Sequence, residues 1–87
     1  MLLIDVAEVI GSDLAITKTD AIQLREKIIK HRRSREIVVS FIGITFLTPI
    51  FLFHCFDELD KEYPHISEKL VILEGIEFIQ KLTKYNT

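Results

Sequence analysis

At 87 residues, 48% hydrophobic and 28% charged, the chain has an ordinary globular composition and room for one small domain, residues 1–87. A net charge of −2 excludes a global field that would draw it to nucleic acid or anionic lipid, and the single cysteine, Cys55, excludes a disulfide framework. A lone thiol fits a reducing compartment, so a cytoplasmic protein is expected.

The N-terminal "MLLIDVAEVIGSD" meets Asp5 and Glu8 early and has no basic n-region, so a strand is expected there rather than a signal peptide. "GSD" is a turn signal, and the strand is read as ending there, with a hairpin to "LAIT" as an option. "TKTD" then fits a capping box, with Thr17 as N-cap and Asp20 three residues later. A helix follows from Lys18 to about Arg33, with Ala21, Ile22, Leu24, Ile28 and Ile29 on one face. Arg25 and Arg32 fall near the middle of that apolar arc and are expected to snorkel at its edge. The basic run Lys27, Lys30, His31, Arg32, Arg33, Arg35 has no interleaved aromatic and reads as a solvated helix end, not a nucleic-acid site.

Residues Ile37 to Phe56 form an uncharged stretch of twenty, about the length of a membrane-crossing helix. Its interior argues otherwise. "EIVVSFI" is β-branched and aromatic, Gly43 interrupts it, and Pro49 would break a helix near its centre. If a helix begins at "TP", however, Thr48 is the N-cap and Pro49 the first helical residue. Leu52, Cys55, Phe56, Leu59 and Tyr63 then share an apolar face, and Pro64 stops the helix after Tyr63. The stretch therefore divides into a buried strand, a short loop and half of an amphipathic helix; a single membrane span is the lesser alternative. "KLVILEG" reads as another buried strand, and "IEFIQKLTKY" as a C-terminal helix with Ile76, Ile79 and Leu82 inward. Strands alternating with helices imply an α/β fold with parallel pairing and right-handed crossovers. No sequence repeat is evident.

Chemistry-bearing residues are few. Cys55 and His54 are adjacent, but neighbours on a helix do not face each other, and Cys55 lies on the core face as inert packing. His31, His54 and His65 lack metal-ligand spacing, and three glycines build no phosphate loop, so neither a metal nor a cofactor is expected. The start of the second long helix is different. With the core face running through Leu52, Cys55, Phe56 and Leu59, Ile50 projects to the opposite side and Phe53 about 100° away. Two large apolar groups beside His54 and Asp57 form a candidate partner surface. The alternative places Ile50 under the preceding loop and Phe53 under a neighbouring element.

The residues "VVSFIGITFLTPIFL" resemble the central strand–loop–helix of STAS domains, the fold of anti-sigma factor antagonists, and in particular a small bacterial STAS-like group of unassigned function. Val39, Phe41, Gly43, Ile44, Leu47, Thr48, Pro49 and Phe51 match that pattern, and "TKTDAIQLREKI" is similar to the helix that precedes it. The resemblance covers roughly residues 15 to 83. It implies a small STAS-like sandwich, a mostly parallel sheet of about four strands with about three helices. It also implies a non-enzymatic regulatory module whose partner is a regulatory protein, such as an anti-sigma kinase of the histidine-kinase-like ATPase superfamily, or a second copy. On that reading Thr48, Ile50, Phe53, His54 and Asp57 would meet the partner. Two departures stand out: the family's strand aspartate is Ser40, and the phosphorylatable serine at the helix start is Ile50, which has no hydroxyl. Thr48 is then the one nearby hydroxyl, a phospho-acceptor only if it is not simply the N-cap. A small-ligand or nucleotide-binding domain is the alternative function.

Overall fold

The computed structural model describes residues 2–73 and shows a mixed α/β fold in which every strand pairing is parallel. Strands β1 (Leu2–Asp5), β3 (Ile37–Ser40) and β5 (Leu70–Leu73) form a three-stranded sheet in the order β1-β3-β5, and β2 (Leu14–Ala15) pairs with β4 (Phe46–Leu47) in a small second sheet. The helices are α1 (Val6–Ile10), α2 (Lys18–Lys30), α3 (residues 49–62) and α4 (Pro64–Ser67). The expected single sheet of about four strands is thus two sheets of three and two. The helix expected over "IEFIQKLTKY", with Ile76, Ile79 and Leu82, falls outside the described residues.

β3 is buried along its whole length, with a parallel neighbour on each side and Ile37 and Val39 under the helices. Ile4, Ile37 and Val39 face the helices and join Ala21, Leu24 and Ile28 of α2 and Phe51, Cys55 and Leu59 of α3 in one core. Among the described residues no helix is long and apolar enough to cross a membrane, since the uncharged stretch divides among β3, β4 and the start of α3.

Four readings of the sequence are corrected. The strand over "LLIDVAEVI" stops at Asp5, where the chain turns into α1, and "LAIT" makes no hairpin: β2 pairs in parallel with β4, thirty-two positions on. β5 is not a buried strand but a half-exposed one, with Leu70 and Ile72 packed on the core and Val71 and Leu73 exposed. Arg25 does not snorkel to the rim of α2; it turns towards α3 and pairs with Glu58.

The fourth correction concerns the core face of α3. It runs through Phe51, Cys55 and Leu59, all fully buried, while Leu52, Phe56 and Tyr63 are only partly buried at its flank. The cause is a π turn over Phe53–Asp57, where the Glu58 N–H donates to the Phe53 carbonyl five residues back. Residues four apart drift about 40° per step around a regular α-helix. The wider turn takes up that drift and keeps Phe51, Cys55 and Leu59 in line over the sheet.

The chain also repeats itself in three dimensions. A four-residue strand, a glycine with positive φ, a two-residue strand, a threonine N-cap and a long helix occur twice in succession: Leu2–Asp5, Gly11, Leu14–Ala15, Thr17 and α2, then Ile37–Ser40, Gly43, Phe46–Leu47, Thr48 and α3. The two copies pair in register, Leu2 with Ile37 and Leu14 with Phe46. The paired strands of the two copies therefore stand one strand spacing apart, roughly 4.8 Å. Sequence comparison misses this because only the apolar pattern, one glycine and the capping threonine are shared, and the glycines stand at different distances from the strands before them.

Candidate interaction surface

The turn after β3 begins the surface. The Ile44 N–H donates to the Phe41 carbonyl at 3.0 Å, and Gly43 sits at φ 89°, a left-handed conformation favoured by glycine. Phe41 and Ile44 point into the core, so Ile42 between them is directed outward. Ser40 supports the turn: buried itself, it accepts the Ile42 N–H on Oγ at 3.3 Å. Where the STAS pattern has an aspartate, this chain has a serine that bonds locally.

The β2–β4 ladder extends the surface. Ala15 and Leu47 are buried as partners in register, so by the two-residue period of a strand Leu14 and Phe46, the adjacent rung, face out together. Thr45 ties the start of the ladder down, its N–H and hydroxyl reaching the Asp13 carbonyl and carboxylate at 2.8 and 2.9 Å. At the other end Thr48 joins three segments. Its backbone N–H donates to the Ala15 carbonyl, its hydroxyl donates to the Ile16 carbonyl at 3.0 Å, and the hydroxyl oxygen accepts the Phe51 N–H at 3.2 Å. Thr48 is thus the N-cap of α3 and its tie to β2 at once, and Pro49 follows at the first helical position.

This arrangement fixes the first turn of α3 against the ladder. Phe51 turns inward and is fully buried, whereas Ile50 is 60% exposed and Phe53 43%. Residues three apart share a helix face, so Ile50 and Phe53 are neighbours there. Leu14, Ile16, Ile42 and Phe46, in the segments that follow β1 and β3, are exposed as well, Leu14 beside Phe46 on the ladder. Leu14, Ile16 and Phe46 escape sequence reading because "LAI" and "TFL" are too short to reveal alternation, and Ile42 because it sits in a turn at the end of the β3 run. For Leu14 and Ile16 the one visible signal is the small Ala15 between them.

Behind Phe53 lies a charged cluster. Arg25 Nη1 donates to the His54 carbonyl at 2.8 Å and pairs with the Glu58 carboxylate, whose other oxygen is 3.2 Å from His54 Nδ1. The guanidinium hydrogen bond holds the Glu58 carboxyl below its usual range, and His54 adds to the effect. His54 therefore faces the α2–α3 contact with part of its ring, while Asp57 is exposed. The Phe53 ring packs edge-on to His54 and carries Lys61 Nζ 5.9 Å above its centre. Cys55 is buried beneath this layer, and burial pushes its thiol up to about 12, so it stays protonated at neutral pH. Among the described residues no three His, Cys, Asp or Glu side chains are grouped to hold a metal ion.

Comparison with known proteins adds no constraint: no family model, no curated protein and no solved structure matches the chain.

Proposed function

We propose that this protein is a non-enzymatic, regulatory protein–protein interaction module that docks its partner on the apolar end formed by Ile42, Phe46, Ile50 and Phe53. The observation that carries the reading is the exposure of large apolar side chains on a surface whose backbone is held by the Thr48, Thr45 and Ser40 hydrogen bonds. A cluster of this kind on one rigid end is characteristic of a partner site. Its place beyond the carboxyl ends of parallel strands is also where open α/β sheets bind their ligands. Aromatic and branched aliphatic groups suit a protein surface better than a nucleotide, which requires convergent polar donors. Thr48, His54 and Asp57 frame the patch, with Asp57 supplying charge at its rim.

By the STAS resemblance the partner is a regulatory ATPase of the histidine-kinase-like superfamily in a bacterial cytoplasm, engaged without phosphoryl transfer at Ile50. Thr48 is a poor phosphoryl acceptor, because its hydroxyl is already bonded on both sides and modification would replace the proton that it donates to the Ile16 carbonyl. Affinity capture from the native host, comparing wild type with Ile50→Asp, tests the reading. A partner retained by wild type and lost from a folded I50D variant supports it. Equal retention by both would place the contact elsewhere, and phosphate on Thr48 in the recovered protein would restore the switch.

A further inference from the structure

β1 is an edge strand, and half of its backbone is turned away from the sheet. The Leu2 N–H donates to the Glu36 carbonyl at 2.9 Å, and Leu2 and Ile4 stand opposite Ile37 and Val39. Alternate residues of a parallel strand bond to the same neighbour, so the N–H and C=O of Leu3 and the N–H of Asp5 point to the open side. Among the described residues none of these groups has a partner. A cleft runs beside this edge, floored by Leu2 and Ile4 and walled by Val9 of α1 and by Lys27 and His31 of α2; Asp5 and Glu8 complete its lining. We propose that β1 takes an acidic, extended segment of a partner protein as an added strand, with the acidic residues of that segment on Lys27 and His31. The site is separate from the surface around Ile50 and Phe53, and the proposal does not rest on that reading.

Charge selects this occupant. α2 ends at Lys30, and the chain returns through residues 31–36 to Ile37, which pairs with Leu2, so this loop lies at the amino end of β1. Lys69, just before β5, donates from Nζ to the Arg32 and Ser34 carbonyls and holds the loop there. Lys27, Lys30, Arg32, Arg33, Arg35 and Lys69 gather at this end against Glu26 and Glu36. They are six of the chain's eleven Lys and Arg residues, so the end is basic although the net charge is −2. Among the described residues none of the six is in an ion pair; the two pairs present both involve Glu58. Cations without carboxylate partners beside open backbone donors and acceptors match an acidic segment in extended form. Its backbone continues the ladder, and Lys27 and His31 read the side chains that enter the cleft. The phosphates of a nucleic acid would meet the cations but leave the backbone row of Leu3 and Asp5 unmatched, since that strand carries no peptide ladder.

NMR titration of the isotope-labelled full chain is the test, with the capped peptides EEDVTVTV and VTVTVDEE as probes. They put the acidic end on Lys27 and His31 in a parallel and an antiparallel strand respectively. One of the two should shift the Leu3 and Asp5 amides and slow their hydrogen exchange. It should also bind about tenfold more tightly than its charge-reversed counterpart, KKKVTVTV or VTVTVKKK. Lys27→Glu, at an exposed position, should weaken that binding about tenfold with Tm unchanged. Binding by neither peptide at millimolar concentration would overturn the proposal. So would equal binding after N-methylation of the peptide's backbone amides, which an added strand needs, or equal binding by Lys27→Glu. Shifts centred on Ile50 and Phe53 would move the contact elsewhere and overturn it too. Concentration-dependent shifts at Leu3 in the protein alone would make a second copy the occupant, and tighter binding of oligothymidylate at the same residues would assign the site to nucleic acid; either result overturns the proposal.

Discussion

Ile50 and Phe51 are adjacent, yet they belong to different parts of the molecule, one 60% exposed and the other fully buried. Ile50→Asp should therefore leave Tm nearly unchanged while weakening partner binding or self-association at least tenfold, because burying such a side chain in an interface is worth roughly 1.5–3 kcal/mol. Phe51→Ala should destabilise the fold by about 3–5 kcal/mol, the range for emptying an aromatic site in a core. Chemical denaturation of the two variants beside a binding assay separates these outcomes; equal unfolding by both would make Ile50 a core residue. Glu58 provides a second measurement at this scale. Its carboxyl is held below the usual value near 4.5 in the folded state by Arg25 and His54. The unfolded chain thus binds the proton more readily, so the contribution is present above that value and is lost as pH falls through the folded pKa. Arg25→Met should flatten this acid limb of the stability–pH curve. An unchanged slope would show that the ion pair has no part in it.

At the scale of elements, the turn and cap before α3 control how the surface is presented. Gly43→Ala meets no atom within 4 Å, so any loss comes from the backbone alone, with φ at 89°. A left-handed conformation at a non-glycine residue costs about 1–2 kcal/mol, and urea unfolding should show a drop of that size. Thr48→Ala should cost about 1–2 kcal/mol through the lost cap, and Thr48→Ser should recover most of it. The cap was legible in the sequence, since "TP" before an amphipathic run has few other meanings. So were β3, from its β-branched run, and α2, from its period. The core line of α3 was not legible, because a π turn has no composition signal and shifts the apolar line from Leu52 and Phe56 to Phe51. β2 was raised as a strand option over "LAIT", but its parallel partner β4 was not legible. Ile50 and Phe53 could be read as outward from helical spacing, but Leu14 and Phe46 meet only through the parallel ladder. A pairing between residues so far apart is invisible to a local pattern.

For the whole molecule, the parallel arrangement makes β3 the strand on which the three-stranded sheet depends. Ile37 pairs with Leu2 on one side and with Leu70 on the other, partners thirty-five and thirty-three positions away. Every ladder must therefore wait for a long segment of chain to close before it forms, which places folding among the slower topologies for a domain of this size. The nucleus must contain β3, because neither edge strand has the other to pair with. Val39→Ala should accordingly slow refolding with little change in the unfolding rate, whereas Leu2→Ala at the β1 edge should chiefly speed unfolding. Stopped-flow chevrons of the two variants would decide it; the reverse assignment would mean that assembly starts at β1. Until β3 is paired on both sides, its run of Ile37, Val38 and Val39 is an unprotected template, and growth of intermolecular sheet during refolding should begin there.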